Sequence, residues 1–257
     1  MKILVSLTTS PKRISLLKNT INSILKQTVQ CSKIILNIPE KFGRTNEYYD
    51  IPDFIKSNPK IYINRTKKDI GPIMKLVPTL FLIKKLKYDN CYIITIDDDI
   101  VYLPHMIEIY LNYIKKDKYM VFGISGFNFG LKKEINPISY GSCVDILEGY
   151  GSIIYNYDIF DLKDFKKYLS IVLRNKYCKF SDDLIISNYL ELNNIKKVLI
   201  NEILFNRKLL WDSSCILEYG NSDDALHNGA YPECLFNNDK RYILALEYLK
   251  RKNQTYF

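Results

Sequence analysis

Glycine is scarce in this chain, 10 residues in 257, and the loop after the first apolar run, Thr8 to Arg13, contains none. That excludes a glycine-rich phosphate loop directly after a first strand. The six cysteines (Cys31, Cys91, Cys143, Cys178, Cys215 and Cys234) include no Cys-x-x-Cys pair. Neither a zinc finger nor a disulfide frame is therefore expected, and reduced, mostly buried thiols are. No stretch reaches the roughly 20 apolar residues that span a bilayer. There is no Arg-rich arm, and the Lys-Lys pairs are scattered as on a solvated surface, so nucleic acid is not an expected partner. Histidine occurs only as His105 and His227. The apolar residues 1 to 9 lack a long hydrophobic region and a cleavage site. They are expected to form a first strand and not a signal peptide, and the expected location is cytoplasmic.

The composition, 47% hydrophobic and 25% charged, is that of a globular chain able to bury a full core. One α/β domain over 1–257 is expected, with residues 1–102 as one half and 103–257 as the other half and tail. Lys and Arg outnumber Asp and Glu by 37 to 28, a net charge of +9. That surplus favours anionic partners such as phosphates, with a peripheral contact to an anionic membrane face left open.

The chain is organised around Tyr92-Ile93-Ile94-Thr95-Ile96-Asp97-Asp98-Asp99-Ile100-Val101-Tyr102. Residues 92 to 96 are β-branched and aromatic, the composition of a buried strand. Three adjacent carboxylates at its end repel one another and are costly to desolvate unless a partner neutralises them. A divalent cation with hard oxygen preference, Mg²⁺ or Mn²⁺, is one such partner, completed by a phosphate-bearing substrate. A solvated turn is the plain alternative.

Around this stretch the pattern alternates strand and helix. Lys2 to Leu7 predicts a strand, and Ile14, Leu17, Ile21, Ile24 and Leu25 recur at helical spacing. Ile34 to Ile38 predicts a second strand, the opening unit of a parallel sheet. Ligands of such sheets bind at the carboxyl ends of the strands, which puts the loop 8–13 at the right end. Residues 39–60 predict a surface excursion with a short helix near Asp53 to Lys56, and Lys60 to Asn64 a third strand. Pro72 is expected to start a helix after Gly71, with Lys75 near its exposed amides. Pro104 to Lys115 predicts a helix and Val121 to Ile124 a strand. Gly126 to Gly130 is expected as a loop. Glu148-Gly149-Tyr150-Gly151, between two apolar strands, is expected to allow close approach of a ligand or to form a bulge. Ser181 is expected to cap a helix whose first turn holds Asp182 and Asp183. Arg241 to Lys250 predicts a final amphipathic helix, packed across the sheet or facing a membrane.

A strand followed by Asp-x-Asp and a short apolar stretch resembles the metal-binding motif of GT-A glycosyltransferases. Thr-Thr-x-Pro-x-Arg after the first strand and Asp-x-Gly-Pro-x-x-Lys one helix before the Asp-x-Asp are similar to nucleotide-binding segments of that fold. The resemblance implies a Rossmann-like, mainly parallel sheet flanked by helices, and transfer of a sugar from a nucleotide-diphosphate donor to a hydroxyl of a glycan, protein or lipid. It implies that Thr8, Thr9, Arg13, Asp69, Lys75, Asp97 and Asp98 meet the nucleotide, with Asp69 on a uracil edge. It implies Mn²⁺ or Mg²⁺ on Asp99 and Asp97, with His227 as a late third ligand. Glu148, Gly149, Tyr150 and Gly151 resemble the segment that meets donor sugar and acceptor. Asp183 is similar to the general base, oriented by Asp182, although a helix start is expected to lower its pKa. Two other readings of the same residues are a sugar-nucleotide-forming nucleotidyltransferase and an inactive glycan-binding module.

Overall fold

The computed structural model describes residues 1–128, 141–200, 204–205, 208–209, 215–221 and 238–256. The first strands run as expected: β1 Lys2–Leu7, β2 Lys33–Pro39, β3 Ile61–Thr66 and β4 Cys91–Thr95. With β5 Val121–Phe127, β6 Ile146–Asn156 and β7 Lys197–Leu199 they form one seven-stranded sheet in the order β3-β2-β1-β4-β6-β5-β7. All pairings are parallel except those of β6, which runs against β4 and β5. The protein is thus α/β, with a mixed, mostly parallel sheet flanked by helices.

Alternation along β1 divides the core. Ile3, Val5 and Leu7 join a cluster with α1 (Lys18–Leu25) and α4 (Met106–Ile114) on one face. Leu4 faces the other side, where α3 (Val77–Leu86), α5 (Leu162–Val172), α7 (Asp182–Leu192) and α8 (Asn238–Arg251) pack. The interior strands β1 and β4 are buried on both faces, so they read as near-continuous apolar runs. Two four-residue helices, α2 (Asp53–Lys56) and α6 (Lys176–Lys179), lie in connections, the first where the sequence predicts it.

Several local expectations change. The segment 144–155 is not a loop between strands: Glu148, Gly149, Tyr150 and Gly151 lie inside the continuous β6. The bulge alternative holds: between Gly123↔Ile153 and Ser125↔Glu148 the register of the β5–β6 pair shifts, with the extra residues on β6 between Glu148 and Ile153, where Ser152 has φ +92°. Gly126 and Phe127 belong to β5, and not to a loop, because they pair with Leu147 and Ile146 of β6. Pro72 begins a 3-10 turn, Pro72–Lys75, that leads into α3. Phe129, Gly130 and Cys234 lie outside the described residues. Of the five described cysteines all are free thiols, and only Cys143 is exposed. The final helix turns Tyr242, Ala245, Leu246 and Leu249 inward, packing across the sheet. Among the described residues no helix is long and apolar enough to cross a membrane.

One buried polar network anchors the turn that carries Lys75. The Ser6 hydroxyl donates to the Lys75 carbonyl at 2.6 Å and lies 2.7 Å from the Thr79 hydroxyl. The Asn37 amide donates to both hydroxyls at 2.9 Å and accepts from Asn64 at 2.7 Å. Ser6, Asn37 and Thr79 are fully buried, so each lost bond leaves a desolvated group unpaired. Asn37→Ala is therefore expected to cost about 1–3 kcal/mol. A urea titration with unchanged slope and a lower midpoint checks this; an unchanged midpoint contradicts it.

Candidate active site

Strand order reverses beside β1: β2 and β3 lie on one side and β4 on the other. At such a switch point the loops beyond the carboxyl ends of the strands diverge and leave a crevice. The crevice here is a cleft of about 400 Å³, lined by Thr8, Thr9, Arg13, Asp69, Lys75, Asp97, Asp98, Asp99, Glu148, Tyr150, Asp182 and Asp183, among others. Residues far apart in sequence, each expected to bear on function, thus share one cleft. Gly149 and Gly151 stand in β6 behind this lining. His227 lies outside the described residues.

The three aspartates beyond β4 are held differently. Asp98 is turned towards β1: it accepts from Thr9 Oγ1 at 2.5 Å and from Arg13 Nη1 at 3.3 Å. Its carbonyl accepts from Thr20 and Tyr219. Asp99 shares the same Arg13 nitrogen at 3.1 Å. Arg13 also donates to the Tyr219 carbonyl at 2.9 Å, and Leu217 N–H donates to the Asp99 carbonyl, so the segment 215–221 is stitched against the triple aspartate. Asp97 turns the other way, to Lys75 Nζ at 2.8 Å.

Lys75 joins two elements. Its ammonium, 7% exposed as a side chain, also lies 3.1 Å from Asp182 at the start of α7. Burial acts to lower its pKa, but Asp182, Asp97 and Asp183 together hold it well above the usual lysine range. It is an internal cation shared between two carboxylates, in the lining of the cleft. Asp183 accepts from Gly149 N–H at 3.0 Å. A Cβ at Gly149 would stand 2.3 Å from Lys75 Nζ, so a larger residue there would displace the ammonium from its present position. Ser181 precedes α7 without making a side-chain cap, because its hydroxyl is buried away from the helix amides; the acids of the first turn face the cleft instead.

Asp69 has a structural task. It accepts from Gly43 N–H at 2.8 Å and from Gly71 N–H at 2.7 Å, pinning two cleft-edge loops together. Gly71 has φ +84°, with the Lys179 carbonyl 2.4 Å from where a Cβ would sit, so glycine is required there. Sequence reasoning missed the rest of this wall. Phe42, Arg44 and Tyr49 come from the excursion 39–60: the Arg44 guanidinium lies over the Phe42 ring at 4.5 Å, and Tyr49 donates to the Thr9 carbonyl at 2.9 Å. Aromatic residues next to basic ones in that excursion were the available signal. Arg241 and Tyr242 of α8 close the opposite end, and nothing in their local pattern separates them from a helix face packed for stability.

The electrostatics are set by crowding. Burial, then Asp98 and Asp97, raise Asp99 to about 7 against the pull of Arg13. Burial also raises Asp98, opposed by Arg13 and Thr9. Burial, then Asp182, raise Asp183 well above the carboxylate range although Lys75 opposes it. This reverses the expectation from the helix start, because desolvation outweighs the dipole. Burial raises Glu148 as well.

Among the described residues no three His, Cys, Asp or Glu side chains form a cluster that could hold a metal. An all-protein cage is therefore absent from them. Asp99 is paired with Arg13 and Asp97 with Lys75, so a hard cation, usually held by one or two carboxylates and completed by substrate oxygens, would compete with both for these carboxylates. No family model matches the chain, and no curated protein matches it.

The crowding has a sign that can be measured. A carboxylate raised in the folded state favours folding below its unfolded pKa, and that contribution is lost as pH rises through about 7. In chelator, stability is expected to fall between pH 4 and pH 8. Asp99→Asn should flatten that slope, by roughly 2 kcal/mol or more across the range. Denaturant titrations at the two pH values check it; an equal slope in both proteins contradicts it.

Proposed function

We propose that this chain is a GT-A type glycosyltransferase that moves a sugar from a nucleotide diphosphate, a uridine donor by the resemblance, to a hydroxyl acceptor. The observation that carries this is one cleft with two kinds of end. Thr9, Arg13 and the triple aspartate lie at the β1–β4 switch point, and Asp182 and Asp183 lie across from them, joined through Lys75.

In this reading Asp99, with Asp97, holds the divalent cation, and His227 is its expected further ligand. When bound, the cation supplies Lewis-acid stabilisation of the leaving diphosphate. Arg13 adds fixed positive charge at the same end and orients Asp98 and Asp99. Phe42, Arg44 and Tyr49 flank the base, and Asp69 shapes that wall by tying its two loops. Asp183 would accept the acceptor's hydroxyl proton on a carboxylate oxygen. Lys75 and Gly149 N–H hold Asp182 and Asp183 at the start of α7, so neither carboxylate has to reorganise during the reaction.

UDP with Mn²⁺ is expected to raise Tm more than GDP or CDP with Mn²⁺, and chelator should abolish the difference. A larger rise with GDP rejects the uridine assignment, and full activity in chelator rejects the metal.

Asp183→Asn separates catalysis from scaffold. Transfer should fall by about 100-fold or more, the scale of a general base, with donor affinity unchanged in a binding titration. Turnover within a few fold of the parent rejects Asp183 as base.

A further inference from the structure

The end of the cleft beyond Asp183 differs in character from the end beside Arg13. Tyr150, Phe180 and Tyr242 line it together with Glu148 and Arg241. Tyr150 is 38% exposed, whereas Tyr242 and Arg241 are buried. Two of these side chains are fixed by one hydroxyl: Ser125 Oγ donates to Glu148 Oε2 at 2.8 Å and lies 2.9 Å from the Tyr150 hydroxyl. Tyr242 is fixed from behind, stacked on Phe127 with centroids 6.4 Å apart and planes 19° apart. The described acids at this end are Glu148, Asp182 and Asp183. The described cations are Arg241 and Lys75, and Lys75 is already shared between Asp97 and Asp182.

We propose that this end is an acceptor subsite for a neutral, hydroxyl-bearing sugar ring, built by Tyr150, Tyr242 and Glu148, and that it rejects uronic acids and anionic lipid headgroups. The inference rests on the transferase reading and names its acceptor class. A pyranose has apolar C–H faces and a rim of O–H donors. Aromatic walls accommodate the faces, and a carboxylate, an acceptor-only group when ionised, suits the donors. Side chains already held by Ser125 and Phe127 lose little freedom on binding, which favours a rigid ring. A carboxylate or phosphate would enter beside Glu148, Asp182 and Asp183, where Lys75 is already shared between two carboxylates and Arg241 is buried; like charges juxtaposed in a desolvated site are strongly disfavoured. Arg13, on Asp98 and Asp99, and Arg44, over Phe42, mark the end where the diphosphate and base are expected. α8 is therefore a wall of the subsite as well as a cover for the sheet.

The test uses the full chain with UDP and Mn²⁺ and three probes: methyl β-glucopyranoside, methyl β-glucuronide and phosphatidylglycerol vesicles. Saturation-transfer NMR for the glycosides and flotation for the vesicles read binding without turnover. The neutral glycoside is expected to bind at least tenfold more tightly than the glucuronide, with no vesicle association. Tyr150→Ala should weaken the neutral glycoside about tenfold, and Tyr150→Phe should retain most of its binding. Tyr242→Ala should act in the same direction, and because Tyr242 is buried its folding is confirmed by circular dichroism. Preference for glucuronide or vesicles, or a Tyr150→Ala variant that binds the neutral glycoside like the parent, overturns the proposal. Donor hydrolysis by the unmodified chain is assayed in parallel across a panel of UDP-sugars. Its absence overturns the transferase reading, and the acceptor inference with it, whereas hydrolysis with an anionic preference overturns the acceptor inference alone.

Discussion

The ammonium of Lys75, buried between Asp97 and Asp182, is the contact on which the rest of the cleft depends. A buried charge is tolerated only when it is paired and hydrogen-bonded. Here the pairing draws together the end of β4 and the start of α7, two elements more than 80 residues apart in sequence. Much of the fold serves that meeting. The Ser6–Asn37–Thr79 network fixes the backbone of Lys75 to the sheet, and the Gly149 amide fixes Asp183 beside it. Removing the lysine would leave two carboxylates facing each other without a counter-charge, a loss that typically exceeds the net worth of the pair itself.

The cleft is also asymmetric in charge. At one end Arg13 is shared between Asp98 and Asp99, and Arg44 lies over Phe42. At the other, Glu148, Asp182 and Asp183 outnumber Arg241 and Lys75 beside aromatic rings. In the proposed reading this gradient orients the substrates before any chemistry: the diphosphate is drawn to the arginines, and a neutral ring settles against the tyrosines. The surplus of lysine over the whole chain says nothing of this, because the scattered lysines are mostly exposed while the charges of the cleft are buried or partly buried.

Much of the scaffold was legible in the sequence. β1, α2 and the core of β4 came from apolar periodicity and punctuation, signals that depend on neighbours along the chain. The rule that parallel sheets place ligands at strand ends put the loop of Thr9 and Arg13 at this cleft, and the triple aspartate ends a strand of the same sheet, whereas Asp183 was joined to them only through the family resemblance. What was not legible depends on pairing across space. β6 continues through Glu148-Gly149-Tyr150-Gly151 as a bulge because its two ends are paired, residues 146–148 with β5 and 153–156 with β4; the glycines signalled the bulge, but not that one strand spans it. Lys75 reads as a helix-start lysine open to phosphate until its two acids are seen. Asp69 reads as a base contact until both of its oxygens are found on backbone amides. The pKa of Asp183 was misjudged in sign because a helix start is visible in sequence and desolvation is not.

The close approach at Gly149 has an evolutionary consequence. The space a side chain would need there is filled by the ammonium of residue 75. A larger residue at 149 therefore requires the lysine tip to move off Asp97 or Asp182, so the two positions are expected to vary together.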